Sequence, residues 1–481
     1  MVKTNLICVF VLVISKLSFG STIQTKQSGN WTDRKTWIDG ILPCQNDSII
    51  INKGDTVFIN SSSAQSLYIE NKGVIYFKSH TNFLKCIQAN FEGGKITGSS
   101  LGNLHAERIT FSKKSILDRC NLKVNNTVYI EDTLEIWSTN GTKNFMNFTN
   151  NGTLLNIASE DINLSGYFQN NGEIKFNQGT ITFLSPAVVS GKLSVAGLKL
   201  TDSLTVLGSL TVLNEISGTG ELINKGIVQL GMMNSNFKID SLNLSFPGNE
   251  LHLIRNGQQK MPTTSFKTAK KVVFSGGGTF NINNYLSVDT IEIKNNSSLE
   301  ISSECSIGAI FCLDDSKLIN SNNFYLNNVN ELAFSKTSTL ELKNNQTLNQ
   351  SIQVGNLFVA PLISFRLNKK DTLFIGGNFL GEGIVRGTQI IEYNGNFIQT
   401  IKKRNYNTLI YNNSCTDSSI FYGDYTITNL KVKRGKLKIG NLLINESLVD
   451  SFGQLSIGGN APVFKDTIKI SGKLIINSNE A

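Results

Sequence analysis

Acidic side chains are the residues best suited to chemistry in this chain, and some of them are neighbours in sequence. The neighbouring pairs are Glu131-Asp132, Glu160-Asp161 and Asp314-Asp315. Cleavage of a glycosidic bond needs two carboxyl groups about 5 to 9.5 Å apart, but successive side chains of a strand point to opposite faces. We therefore interpret the pairs as turn or surface carboxylates, with Asp314-Asp315 as the best of three weak catalytic candidates.

The three histidines, His80, His105 and His252, lie far apart and share no motif. Each is predicted to be a surface or corner residue. Calcium loops of the D-x-D-x-D-G kind are missing from the sequence, and the run 276-GGG-278 is not followed by the residues of a phosphate-binding loop. The sequence therefore predicts no metal ion and no cofactor.

Basic residues concentrate in the run 431-KVKRGKLK-438, although the net charge of +9 is modest for 481 residues. Lys431, Lys433 and Lys436 are therefore candidate contacts for an anionic glycan. The alternative, which we prefer, is the solvated face of an ordinary strand. Nucleic acid is not expected as a partner, because no binding motif for it is present.

Six cysteines lie after Gly20: Cys44, Cys86, Cys120, Cys305, Cys312 and Cys415. Their spacing contains neither C-x-x-C nor a zinc motif. Cysteine is commonly a small buried apolar residue, so buried thiols are the preferred interpretation. Export permits disulfide formation, and Cys305 with Cys312 is the candidate pair.

The segment 1–20 has the features of an export signal. Lys3 supplies a positive charge, residues 6–14 form an apolar run, and Ser18 and Gly20 are small residues before a cleavage site. The run is too short to cross a bilayer, and no later stretch reaches the ~18 apolar residues of a membrane helix. We expect an extracellular or outer-surface location and no transmembrane segment in the mature chain.

Apolar and polar residues alternate through the rest of the chain, as in 48-SIIINKGDTVFI-59, which is typical of half-buried strands. Corners of Asn, then Asn or Lys, then Gly recur at 71-NKG-73, 150-NNG-152, 170-NNG-172 and 224-NKG-226. A strand-and-corner unit of roughly 20 residues predicts an all-β solenoid, because stacked coils bury apolar faces that one coil cannot bury alone. A string of β-sandwiches is the alternative.

Two further expectations follow from the stacking of the coils. Asparagines at equivalent corners should share amide hydrogen bonds between coils. A catalytic site would need acids from consecutive coils on one face, and the sequence shows no such ladder.

We divide the chain into a signal peptide (1–20), a tryptophan-containing cap with the first coils (21–80), a solenoid (81–390) and C-terminal solenoid repeats (391–481). The polar stretch 255-RNGQQKMPTTSFKTAK-270 does not alternate. It is predicted to be a protruding loop or a junction between two solenoid segments.

The stretch 29-GNWTDRKTWIDGILPCQND-47 resembles the start of an extracellular module named for its eight glycines, and the leader repeat of adhesin-like surface proteins of Gram-negative bacteria. The run 392-EYNGNFIQTIKKRNYNTLIYNN-413 resembles a repeat of the same surface proteins. This resemblance implies a right-handed parallel β-helix in an exported protein.

Trp31 and Trp37 have two interpretations. The preferred one is that they cover the apolar end of the first coil, which would otherwise invite pairing with another chain. The other is that an exposed ring stacks on a sugar, which makes both candidate ligand-binding residues.

The predicted function is that of an exported, non-enzymatic, adhesin-like β-solenoid that binds glycans or a partner protein. The alternative is a carbohydrate-active enzyme, a polysaccharide lyase or glycoside hydrolase on the same scaffold. A structural spacer is a third hypothesis. The arrangement of carboxylates on the folded surface should distinguish them.

Overall fold

A computed structural model describes residues 20–99, 101–137, 143–233, 236–239, 241–244, 246–260, 269–387, 390–458 and 462–476. The predicted signal peptide, apart from Gly20, lies outside the described residues. The chain divides into two compact units after Lys199. Three short 3-10 turns, Arg34–Thr36, Ile38–Gly40 and Leu326–Asn328, lie among the described residues. None of them is long and apolar enough to cross a membrane.

The first unit consists of short strands joined by tight corners. Its strands are Thr22–Gln24, Gly29–Asn30, Ser48–Ile51, Thr56–Ile59, Ala64–Asn71, Val74–Phe77, Phe83–Glu92, Lys95–Gly98, Gly102–Lys113, Ser115–Leu117, Cys120–Ile130, Thr133–Ile136, Lys143–Asn150, Thr153–Asn156, Ile162–Leu164, Phe168–Asn170, Glu173–Phe176, Thr180–Phe183, Ala187–Val189 and Lys192–Leu200, the last of which ends just beyond the division.

The second unit is built in the same way. Its strands are Leu204–Val206, Ser209–Gly218, Glu221–Asn224, Ile227–Leu230, Phe237–Lys238, Ser241–Asn243, Glu250–Leu253, Gln258–Lys260, Ala269–Phe274, Thr279–Ile282, Leu286–Ile293, Ser298–Ile301, Cys305–Cys312, Lys317–Asn320, Glu331–Phe334, Thr339–Leu342, Gln346–Leu348, Ile352–Val354, Asn356–Val359, Ser364–Leu367, Thr372–Ile375, Phe379–Leu380, Ile384–Arg386, Ile390–Tyr393, Tyr406–Asn412, Ser418–Ile457, Val463–Phe464, Ile468–Ile470 and Lys473–Ile476.

Strands of consecutive coils pair in parallel. Thr56–Ile59 pairs with Val74–Phe77, which in turn pairs with Lys95–Gly98. In the second unit, Thr279–Ile282 pairs in the same way with Ser298–Ile301. Sandwiches are built from antiparallel sheets, so the sandwich alternative is wrong. The predicted all-β parallel solenoid is confirmed, with about 20 coils in the two units together.

Alternating side chains fill the interior as ladders of apolar residues, one from each coil. One ladder of the first unit contains Val57, Ile75, Ile96, Leu117 and Ile136, all fully buried. Because each residue covers its equivalent in the next coil, the core is continuous within the unit, as expected for stacked repeats.

The asparagine corners also form a ladder, as predicted. Nδ2 of Asn150 donates a hydrogen bond of 2.7 Å to Oδ1 of Asn170, and both side chains are buried. The adjoining glycine is required by close packing, because a Cβ atom on Gly172 would lie 2.0 Å from the carbonyl oxygen of Gly152. The Asn-x-Gly corner thus pairs the buried amide nitrogen of Asn150 while it allows backbones to approach closely.

The stretch 255–270 differs from the predicted loop in part. Gln258–Lys260 is a strand that pairs in parallel with Thr279–Ile282, so it continues the coils. Residues 261–268 lie outside the described part of the chain. The expected boundaries at residues 80 and 390 stay predictions.

Candidate ligand-binding face

One outer surface of the first unit carries a column of side chains, one from each of six coils. We name it the aromatic face, and it consists of Phe58, Tyr76, Thr97, Asp118, Trp137 and Ile157. Each residue follows an inward-pointing residue of its coil, which is apolar in every case except Asn156 before Ile157. The period of two that buries one side chain therefore turns the next one outward.

Trp137 is the most distinctive member of the aromatic face, because its ring is large, exposed and held in place. Its side chain is 46% exposed. Nε1 donates a hydrogen bond of 2.8 Å to Oε2 of Glu135, and Nζ of Lys95 lies 5.6 Å from the ring centroid. Exposed aromatic rings with a polar tip are typical of recognition surfaces.

Glu135 connects Trp137 to the neighbouring coil. Its side chain points outward yet is buried, and Oε1 lies 2.6 Å from Nζ of Lys114. The ammonium of Lys114 and, to a smaller degree, the indole N–H of Trp137 hold the pKa of the Glu135 carboxyl below its ordinary value. The carboxylate therefore stays ionised as a fixed acceptor.

Asp118 is the acid of the column itself. Its Oδ2 accepts a hydrogen bond of 2.8 Å from Oγ1 of Thr97 and lies 3.7 Å from Nζ of Lys95. A general acid for glycoside cleavage must hold a proton near neutral pH. The lowered pKa of Glu135 is opposite to that requirement.

Aromatic rings also lie at the other end of the column. The rings of Phe58 and Tyr76 meet edge to face with centroids 5.5 Å apart. Nζ of Lys78 lies 4.9 Å from the Phe58 centroid and donates a hydrogen bond of 2.7 Å to Oδ1 of Asn30. Flat rings, hydroxyls and charged groups thus follow one another along the face.

Trp31 and Trp37 are buried in the first coil and do not join this face. Their ring centroids lie 5.5 Å apart in an edge-to-face arrangement, and Nε1 of Trp37 donates a hydrogen bond of 3.0 Å to the carbonyl oxygen of Trp31. Sugar stacking needs an exposed ring face. This arrangement favours the capping hypothesis over ligand binding.

The basic run is divided by a corner at Gly435, where φ is +84°. Lys431 and Lys433 lie before this corner and Lys436 lies after it, so the three do not form one strand face. Nζ of Lys433 lies 3.4 Å from Oε2 of Glu392. Lys431 is exposed and borders a depression of about 250 Å³ that Lys469 also borders.

Cys305 and Cys312 are free buried thiols at the two ends of one strand. An extended strand rises ~3.3 Å per residue, so its ends lie too far apart for a disulfide. Burial raises the pKa of the Cys312 thiol to about 12. The candidate pair is therefore not formed. Cys86 and Cys120 are also buried free thiols, whereas Cys44 is exposed and Cys415 is half-buried, so the interpretation of buried thiols holds for four of the six cysteines.

The acidic pairs do not form a site. Asp314 and Asp315 are exposed turn residues, as are Glu131 and Asp132. Glu160 differs from the expected surface position, because it is buried inside the first unit with 2% of its surface exposed. Among the described residues, no three His, Cys, Asp or Glu side chains are grouped to hold a metal ion.

The histidines remain separate as well. His80 is exposed, and the ring of His105 contacts that of Phe83 with centroids 4.5 Å apart. His252 forms a contact of 2.7 Å between its Nε2 and Oε2 of Glu250 on the same strand. This pair is the one place where a histidine and a carboxylate meet among the described residues.

Sequence reasoning missed Trp137 and Glu135. The signal was nevertheless present in 133-TLEIW-137, where alternation turns Leu134 and Ile136 inward and Glu135 and Trp137 outward.

No protein-family model, curated protein or solved structure matches the chain. The β-solenoid therefore rests on the structure, and the resemblance to adhesin-like proteins and to the eight-glycine module rests on the quoted residues alone.

Proposed function

We propose that this protein is an exported β-solenoid that binds a polysaccharide along the aromatic face of its first unit and does not cleave it. The observation that carries the proposal is the exposed ring of Trp137, which Glu135 and Lys95 hold in position. A rigid ring binds a sugar at a low entropic cost, because little side-chain freedom is lost on binding.

The spacing of the face supports a repetitive ligand. Consecutive coils lie ~4.8 Å apart, which is close to the length of one sugar residue in an extended polysaccharide. Each coil therefore offers one contact to each successive sugar. Several weak contacts in register add up to useful affinity without a deep pocket.

The charge of the face favours a neutral or weakly charged polysaccharide. Lys95 lies near Asp118, and Lys114 is paired with Glu135, so the positive and negative groups are interleaved. A polyanion would need an excess of cations. Export to the cell surface, which the leader predicts, would bring such a face to its ligand.

Titration calorimetry with a neutral β-linked glucan and with a polyuronate tests the proposal. The chain from residue 21 should bind the glucan, and Trp137→Ala should abolish most of that binding while the fold is retained by circular dichroism. Equal glucan binding by Trp137→Ala and the wild type would show that the ligand binds elsewhere. Failure to bind any polysaccharide, together with capture of a protein partner, would overturn the proposal.

The enzymatic alternative is tested on the same samples. Prolonged incubation should release no new reducing ends and produce no unsaturated products. Either product would show turnover and contradict a purely binding function.

A further inference from the structure

One corner of the first unit contains an amine, a carboxyl group and a carboxamide inside the apolar core. Lys143 points inward between Leu122 and Ile162 of the neighbouring coils and is fully buried. No other lysine is buried among the described residues. Glu160 and Asn156, at the same corner, are 2% and 1% exposed.

Glu160 contacts both of the other groups. Nζ of Lys143 lies 3.3 Å from Oε2 of Glu160, and Nδ2 of Asn156 donates a hydrogen bond of 2.8 Å to the carbonyl oxygen of Glu160. Oε1 of Glu160 and Oδ1 of Asn156 have no hydrogen-bond partner. Leaving such oxygens unsatisfied is costly, and an apolar side chain at position 143 would avoid the cost of a buried charge.

We propose that Lys143 and Asn156 become joined by an isopeptide bond, with Glu160 as the proton carrier. The ammonium of Lys143 first gives a proton to the Glu160 carboxylate, because a dry site disfavours separate charges. The neutral Nζ then attacks Cγ of Asn156, and a C–N bond forms.

The step balances without an oxidant or a cofactor. The bond from Cγ to Nδ2 of Asn156 breaks, and the carboxamide nitrogen takes up the proton lost by Nζ and leaves as ammonia. Glu160 keeps the proton that it took from Lys143 and stays neutral. The product links the start of strand Lys143–Asn150 to the end of strand Thr153–Asn156 by a neutral amide, which removes the buried charges of Lys143 and Glu160.

The buried position of Lys143 favours this reaction over reactions of surface lysines. Lys143 contacts the carboxylate of Glu160 and Asn156 contacts the backbone carbonyl of the same residue, in a site that excludes water, so the reaction faces no competing hydrolysis. Exposed pairs such as Lys72 with Glu70 do not have this advantage.

Peptide mass spectrometry tests the proposal directly on the folded wild-type protein. Lys123, Lys143 and Lys175 are successive tryptic sites, because no other Lys or Arg lies between them. An unmodified chain yields peptides 124–143 and 144–175. A cross-linked chain should yield one peptide of residues 124–175 whose mass is lower by one ammonia, about 17 Da.

One variant makes the assignment specific. Glu160→Gln should yield the two separate peptides. Cleavage of the wild-type protein after Lys143 would overturn the proposal with or without loss of ammonia, because loss of ammonia with cleavage intact indicates a cyclised asparagine. A joined wild-type peptide that has lost water would overturn the assignment to Asn156 and place the bond on Glu160.

Discussion

Oε2 of Glu135 accepts a hydrogen bond of 2.8 Å from Nε1 of Trp137, while Oε1 of the same carboxylate lies 2.6 Å from Nζ of Lys114. The buried acid thus fixes an exposed ring through one oxygen and a cation of the preceding coil through the other. A surface ring that is anchored in this way keeps its orientation before a ligand arrives.

This anchor predicts a dependence on pH. The pKa of Glu135 is lowered in the folded state, so its stabilising contribution is complete above the unfolded pKa of about 4.3 and is lost as pH falls through the folded pKa. The contribution of Glu135 to glucan affinity and to the unfolding free energy should therefore be constant above about pH 6 and should decrease in acid.

Glu135→Gln provides the control for the pH experiment. The amide keeps the shape and one acceptor oxygen but does not titrate. We expect weaker binding at neutral pH and the loss of the part of the acid dependence that Glu135 contributes. An identical pH profile in the variant and the wild type would show that another group is responsible.

The buried asparagine ladder predicts that alanine substitutions at the adjacent residues Asn150 and Asn151 differ in their effect on stability. Asn150→Ala removes the donor to Asn170 and to the carbonyl oxygen of Glu173 within the core. Leaving buried acceptors unsatisfied should lower the unfolding free energy by about 1–3 kcal/mol. Urea unfolding measures this change.

The matched control is Asn151→Ala. Oδ1 of Asn151 accepts a hydrogen bond of 2.9 Å from Nδ2 of Asn171, but both side chains are exposed. Its effect should stay within about 0.5 kcal/mol. Equal losses for the two variants would contradict a special role for the buried ladder.

The burial of Trp37 predicts that its ring stabilises the first coil. Its ring is 1% exposed and packs on Trp31, so Trp37→Ala should destabilise the first unit by about 3–5 kcal/mol through the cavity that it leaves. Trp37→Phe retains a ring and should cost less. Thermal unfolding followed by circular dichroism measures which of the two variants loses more stability. A Trp37→Ala variant that is as stable as the wild type would exclude the capping role.

The basic run predicts two different effects for two lysines. Under the glycan-binding interpretation of the run, Lys431→Ala should weaken binding to a polyuronate by at most about fivefold, because exposed charges contribute less than about 1 kcal/mol each. Lys433→Ala removes the cation beside buried Glu392, so it should lower stability more than affinity. Unchanged polyuronate binding in both variants would show that the run is only a solvated surface.

The coil architecture could be predicted because its causes are local. Alternation determines which side chains point inward, and each Asn-x-Gly corner shows where the chain bends. Those signals lie close together in sequence, and their regular spacing indicates stacking.

The candidate face could not be predicted because it depends on register between distant coils. Trp137 lies beside Asp118 and Asp118 lies beside Thr97, yet the two steps differ in their separation along the sequence. The length of each corner varies, so a column of equivalent side chains is not periodic in sequence. The inward position of Lys143 was missed for a related reason, because a lysine is expected to point to solvent.

The binding of glucan by the aromatic face is tested most directly by tryptophan fluorescence. The chain contains three tryptophans, and Trp31 and Trp37 are buried at 4% and 1% exposure while Trp137 is 46% exposed. Added glucan should shift the emission to the blue and shield Trp137 from acrylamide. Trp137→Ala should eliminate this response and lower affinity about tenfold or more, whereas Tyr285→Ala, which removes an exposed ring of the second unit, should change neither. A glucan that binds Trp137→Ala with wild-type affinity would contradict the account.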